Sequence, residues 1–388
     1  MAGLRERFGR PLRLAILGGG PGSWIGHMHR SAAELDGWWR VVGGVFSSDP
    51  ARSREGGASL GFDRGRCYGT LDELVAKECA RPDPVDAVAI TTPNDTHYPL
   101  AAAALDAGFD VVCDKPVTHD AAQARDLVAR TRRHGRLFAI AHGYSAYPMT
   151  RYARHLVEAN AIGELRYVQV EYVQSGLAPR LEDGPRDNRL AWVLDPRRSG
   201  LALVMSAIGC HAQHLASFVA GRRVARVCAD VLAVVPGREV IDTVSALLRF
   251  EGGLAGTFTA IQAAAGSEND IRLRVYGANG MLDWSHREAS HLRIATLNEG
   301  PRVAGRGDAS LPPEIVALGR APRGHPEGLR EAFANIYAEV AQERMLRSLG
   351  EPVPRFRYPT IEEGAHTMAF IEACLASRGR WVDVESSD

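Results

Sequence analysis

Three parts of this 388-residue sequence carry groups suited to chemistry. The first is "LVMSAIGCHAQHL", Leu203 to Leu215, where His211 and His214 stand three residues apart in an apolar run. Such a pair can hold a metal, pack within a core, or supply a base, because imidazole titrates near neutral pH. No carboxylate companions accompany the pair at ligand spacing, so no metal is expected. His214 reads as a packed residue. The second part is "GGGPGSWIGHMH", Gly18 to His29. Glycines after a strand let the backbone approach a pyrophosphate, and the helix that follows adds positive potential. The usual G-x-G-x-x-G spacing fails, since five residues separate Gly20 from Gly26. Gly18, Gly20, Gly22, Ser23, Trp24 and Ile25 are the expected cofactor contacts here. The third part is a pair of strand ends stopped by proline, "TTPNDTH" and "CDKP". They bring Thr92, Pro93, Asn94 and His97 to the same sheet edge as Asp114, Lys115 and Pro116, again as expected cofactor contacts.

These groups need a frame. Short apolar runs at 12–17, 41–46, 85–92, 109–115 and 136–142 end in glycine or polar punctuation. Continuous apolarity marks parallel strands buried on both faces, and helix-length segments lie between them. The alternation predicts an α/β fold, a Rossmann doubly wound parallel sheet over residues 1–145, with ligands at the strands' carboxyl ends. After "VVGGVF" comes "FSSDPARS". An acidic residue at this place binds the ribose of NAD. Ser47 and Ser48 stand there instead, with Arg52 beyond them, a set able to accept the 2′-phosphate of NADP. Asp49 is the alternative contact for the ribose, so NAD and NADP both remain open.

Composition narrows the function. Hydrophobic residues make up 45%, charged residues 24%, and the formal net charge is zero, so neither nucleic acid nor an acidic membrane is an expected partner. No apolar run reaches the ~18 residues of a membrane span. The opening segment lacks the apolar core of a secretory signal. Six cysteines are scattered without a CxxC pair. A cytoplasmic location is expected.

Together, "GGGPGSWIGHMHR", "TTPNDTHYPLA", "DKPVT" and the helix with "IGCHAQHL" resemble the Gfo/Idh/MocA family of NAD(P)-dependent sugar and cyclitol oxidoreductases. The resemblance continues through "YPMTRYAR", "AWVLDPRRSG" and "GHPEGLREAFANIY", over nearly the whole chain. It implies a second domain, residues 146–388, of α+β type with an open, mainly antiparallel sheet used for substrate binding and oligomerisation. The alternation of "ELRYVQVEYVQ" and later runs is compatible, as is the Asn279–Gly280 hairpin signal. Residues 299–326 read as a long loop, followed by helices from Pro326 to about Ser348 and near 360–377.

The resemblance also implies chemistry. Lys115 matches the lysine of the family's E-K-P, which donates a hydrogen bond to the substrate oxygen. His211 matches the histidine of G-D-x-G-x-H, the base that removes a hydroxyl proton during hydride transfer. Tyr144 and Trp192 are expected to line the substrate. A sugar, cyclitol or glycoside substrate and a homodimer or homotetramer follow. The family's aspartate is absent, with Ala207 in its place and Ser206 before it. Tyr144, Tyr147, Tyr172, Asp195 and His214 are the candidate replacements. Two other readings stay open. One is redox-neutral elimination or epimerisation through transient oxidation; the other is a non-catalytic dinucleotide or sugar sensor. Retention of Lys115 and His211 favours the enzyme.

Overall fold

The computed structural model describes residues 3–184, 193–196 and 202–385. The first apolar runs become one parallel sheet: β1 (Leu12–Gly18), β2 (Trp39–Val45), β3 (Ala87–Thr91), β4 (Asp110–Cys113) and β5 (Phe138–Ile140). Its order is β2-β1-β3-β4-β5, so the strand order reverses beside β1. All residues of β3 and β4 are buried, as strands covered on both faces must be. The helices of this part are α1 (Leu4–Phe8), α2 (Trp24–Glu34), α3 (Pro50–Ser59), α4 (Leu71–Cys79), α5 (His97–Asp106) and α6 (Ala121–His134). Side chains of Ser23, Asp49 and Thr70 cap α2, α3 and α4 by accepting a first-turn amide.

Then follow α7 (Pro148–Glu158), β6 (Leu165–Gln174), α8 (Cys210–Ala220), β7 (Val224–Leu232), β8 (Thr243–Phe250), β9 (Ala255–Ile261), β10 (Asn269–Gly277) and β11 (Gly280–Ser285). The chain continues as β12 (His291–Thr296), β13 (Arg302–Gly305), α9 (Pro313–Val316), α10 (Leu329–Leu349), α11 (Ile361–Ser377) and β14 (Val382–Asp383). The second sheet has nine strands in the order β13-β12-β11-β10-β6-β9-β8-β7-β14. Its pairings are antiparallel except for β6 with β9. The chain is thus an α/β protein with a parallel Rossmann sheet and a mainly antiparallel second sheet.

Two features depart from the linear reading. The stretch 299–326 is not all loop: β13 pairs with β12 and α9 forms a short turn of helix. Four residues on a sheet edge, two of them exposed, carry too little apolar periodicity to announce a strand. The second departure concerns grouping. One compact unit holds Met1–Thr118, Ala122–Ala146 and Leu329–Gly364; the other holds His119–Ala121, Tyr147–Gly328 and Ala365–Asp388. A single cut at 145/146 places α10 with the second sheet, yet it packs with the first. Tyr337 on α10 explains this. Its hydroxyl lies 2.7 Å from His29 Nδ1, and its carbonyl accepts Trp39 Nε1–H at 2.8 Å. Tyr337 and Trp39 are both fully buried. Gly143 adds to the fit, since a Cβ there would stand 2.6 Å from the Phe333 ring.

Candidate active site

In the parallel-sheet unit, the glycine loop leaves β1 where the strand order reverses, the usual ligand position in open α/β sheets. Gly18, Gly19 and Gly22 have φ of 89, 64 and 81°, a region that favours glycine. A Cβ on Gly20 would meet the Phe46 carbonyl oxygen at 2.5 Å, and one on Gly26 would meet Gly19 Cα at 2.2 Å. The wider glycine spacing therefore still closes the loop tightly onto α2. Ser23 Oγ accepts the Gly26 amide at 3.1 Å. The amides of Trp24 and Ile25, in the first helical turn, have no intrahelical acceptor and face the end of positive potential. A Cβ on Gly22 would meet nothing within 4 Å, so the loop is open on that side. Trp24 is exposed and Ile25 half-buried.

Beyond β2, Ser47 Oγ accepts the Asp49 amide at 3.2 Å, and Asp49 Oδ1 accepts the Arg52 amide at 2.7 Å. Both side chains help turn the chain into α3. Ser48 and Arg52 remain exposed, with Arg52 Nε 3.8 Å from Asp49 Oδ1.

The ends of β3 and β4 are joined by His97. Its Nδ1 lies 2.8 Å from the Pro116 carbonyl oxygen and its Nε2 2.9 Å from that of Thr92. The ring is 1% exposed, so it links the loops rather than forming their surface. Burial lowers its proton affinity, against the opposing pull of Asp114 and both carbonyls, while Lys115 reinforces burial. Pro93 is exposed, and Thr92 Oγ1 accepts the Thr96 hydroxyl at 2.8 Å. Asn94 is buried, yet its Oδ1 has no hydrogen-bond partner among the described residues, as at a position that awaits a bound group. Together with the open side at Gly22 and the unpaired helix amides, this fits a dinucleotide.

Asp114 and Lys115 are half-buried, and the Lys115–Pro116 peptide is cis. Burial would raise the Asp114 carboxyl, but His29, with Nε2 at 3.9 Å, and then Lys115 and His97 hold it down at about 2. Tyr144 lies in the 3-10 turn after β5 and is buried.

In the other unit, His211 occupies the first turn of α8, directly after a π-helical turn at Met205–Gly209 that contains Ala207. Such turns recur at functional sites. Gly209 packs closely within this turn, since a Cβ there would meet Met205 Sδ at 2.7 Å. The ring of Tyr172, on β6, lies 6.3 Å from that of His211. Tyr172 donates to Asn269 Oδ1 at 2.6 Å, and Gln174, two residues along the same face, donates to both. Asn269 borders His286, whose Nε2 lies 3.2 Å from the Tyr147 hydroxyl. Burial lowers the proton affinity of His286, against the opposing Asn269 carbonyl and Asp270. Of the candidate replacements for the missing aspartate, Tyr172 thus stands beside His211, and Tyr147 ends the same polar row. His214 stacks on Phe218, Asp195 is half-buried, and Tyr144 belongs to the other unit. Trp192 lies outside the described residues. Among those residues, no group of three His, Cys, Asp or Glu side chains is placed to hold a metal, and no helix is long and apolar enough to cross a membrane.

Residues 12–142 match the family described as the oxidoreductase family, NAD-binding Rossmann fold, and residues 150–283 match the GFO/IDH/MocA C-terminal domain. This chain is a Gfo/Idh/MocA oxidoreductase. An inositol dehydrogenase homolog from Azotobacter vinelandii, solved with NAD+, shares its structure with a TM-score of 0.92 and 32% identity, over 97% of this chain and 98% of that one. The same homolog solved with NADH and myo-inositol gives 0.89 at 32% identity, over 97% and 98% of the two chains. The oxidoreductase YfiI of Bacillus subtilis is 29% identical over 96% of this chain and 97% of its own length.

As a Gfo/Idh/MocA protein, the chain is an NAD(P)-dependent dehydrogenase with a nicotinamide dinucleotide as cofactor. Sequence reading missed some residues of the candidate site. Arg30 donates to the Gly19 carbonyl from α2, and burial depresses its proton affinity against the opposing Glu34. Its signal was available: Arg30 is four residues after Gly26, hence on the helix face that meets the loop. Asn269, Gln174 and His286 were missed because they meet only through strand pairing.

Proposed function

We propose that this enzyme oxidises a secondary hydroxyl of a cyclitol or sugar, with NAD preferred as cofactor. The observation that carries the substrate class is the polar row Gln174–Tyr172–Asn269–His286–Tyr147 in the unit that holds His211. A face of neutral donors and acceptors suits a polyhydroxylated, uncharged ligand. The similarity to the inositol dehydrogenase homolog over nearly the full chain supports a cyclitol.

A bound nicotinamide supplies the acceptor for the hydride that leaves the substrate carbon. Lys115 donates a hydrogen bond to the substrate oxygen and stabilises the negative charge that grows there. His211 accepts the hydroxyl proton. Tyr172 bounds the His211 ring on one side, while its own hydroxyl is committed to Asn269. It therefore orients the base without supplying the charge an aspartate would. Asn94, Gly20, Gly22 and the first amides of α2 hold the dinucleotide, and Asp49 favours NAD by repelling a 2′-phosphate.

The same reading places a second copy of the chain against the outward face of the second sheet, where Leu232 and Leu247 are 44% and 49% exposed. Sedimentation of the purified protein checks this by showing a dimer or tetramer. The catalytic reading is tested by following NAD reduction across a panel of cyclitols and sugars. Reduction by at least one of them is expected, and its absence across the panel with NAD and NADP alike would reject a cyclitol or sugar substrate.

A further inference from the structure

At the amino end of the parallel sheet, opposite the glycine loop, a cleft of about 540 Å³ opens between the starts of β1 and β2 and the segment after α3. Five arginines line it: Arg10, Arg13, Arg40, Arg66 and Arg81. Three are already balanced. Arg10 holds Asp86 through two hydrogen bonds, Arg66 pairs with Glu78 and Asp83, and Arg81 pairs with Asp83. Arg13 and Arg40 are not. They are direct partners in the β1–β2 register, so two like charges stand side by side on one face, an arrangement that destabilises a sheet. Arg13 Nε donates to the Pro84 carbonyl at 2.9 Å, and no carboxylate lies in ion-pair range of either residue among those described. Burial and the neighbouring Arg10 lower the proton affinity of Arg13, against the opposing Asp86 and Asp83. Asp63 and Asp83 also line the cleft, but Asp63 accepts the Gly65 amide and Asp83 is held by Arg66 and Arg81, so among the described residues Arg13 and Arg40 have no carboxylate of their own.

We propose that this cleft binds a small phosphate-bearing anion, held between the guanidinium groups of Arg13 and Arg40. A phosphate group presents several oxygens to two adjacent planar donors. Leu60 and Phe62 form an apolar wall beside them, which suits a phosphate ester with an organic body. The site is separate from the dinucleotide cradle, which lies at the carboxyl ends of the same strands.

The test is calorimetric titration of pyrophosphate into the full chain, with and without saturating NAD. Saturable binding that persists with NAD present is expected, and Arg40→Gln should weaken it at least about tenfold. Arg40 is exposed on its strand, so this variant should keep the fold and its NAD affinity. Arg13→Gln, checked for folding by circular dichroism, should weaken binding likewise. Three results would overturn the proposal: no saturable binding, complete displacement by NAD, or binding unchanged in both variants. Titration with glucose 6-phosphate tests the ester class, and binding tighter than that of inorganic phosphate is expected.

Discussion

His97 Nδ1 lies 2.8 Å from the carbonyl oxygen of Pro116, and through this contact the loop bearing Lys115 is tied to the loop that follows β3. The other ring nitrogen meets the Thr92 carbonyl at 2.9 Å. A neutral imidazole has one N–H, so it serves one of the two carbonyls at a time. Only the protonated ring serves both, and burial opposes protonation.

Replacing this ring should disturb both folding and turnover. His97→Ala leaves two carbonyls without their partner at a cost of about 1–3 kcal/mol, measurable by urea unfolding. It should also lower kcat more than it raises the KM for NAD, since Lys115 loses its anchor. The pH dependence has a definite sign. The folded ring binds its proton more weakly than the unfolded one, so stability falls as pH drops below the ordinary histidine value of about 6.5. His97→Gln should flatten that part of the stability–pH curve.

Asp114 behaves in the opposite way. Its carboxyl is depressed to about 2 by the facing groups, with burial opposing them. It should therefore contribute roughly 2 kcal/mol above the ordinary carboxylate range, lost as pH falls toward 2. Asp114→Asn should remove this contribution and make the acid limb of the unfolding curve shallower. Acid unfolding of both proteins, followed by circular dichroism, checks it.

The sheet of the first unit was legible because both faces of each strand are covered. That requirement writes itself into the sequence as unbroken apolar runs, with Ala87–Thr91 the plainest case. The candidate residues at the strand ends stood out for a related reason: glycine and proline mark where the strands stop. Partner choice was not legible. Nothing local in "LREAFANIY" says that Tyr337 will bond His29 and Trp39, about three hundred residues away. Nothing local marks the π-helical turn at Ala207 either, where Gly209 lies against the Met205 side chain.

Cofactor choice can be tested without disturbing the fold. Asp49 both caps α3 and carries the one negative charge of "FSSDP". Asparagine caps as well as aspartate, within a few tenths of a kcal/mol. Asp49→Asn should therefore leave stability unchanged while raising affinity for NADP relative to NAD. Parallel fluorescence titrations of both cofactors measure the ratio.

Tyr172 offers a direct test of the polar row proposed to meet the substrate. Tyr172→Phe keeps the ring beside His211 but removes the hydroxyl that donates to Asn269 and accepts from Gln174. The KM for the substrate should rise several-fold, with NAD affinity unchanged, because only the polar row is disturbed. Steady-state kinetics with each reactant varied in turn separates the two.

The central claim is hydride transfer from a hydroxyl-bearing carbon, with His211 taking the proton and Lys115 the oxygen's charge. Its most direct test uses myo-inositol deuterated at carbon, incubated with NAD and the wild-type enzyme, with the reduced cofactor examined by mass spectrometry. Deuterium on the nicotinamide is the predicted result, slowed by about 10²–10⁴ in His211→Asn and Lys115→Ala. Turnover of the substrate with no deuterium reaching the cofactor would contradict the account.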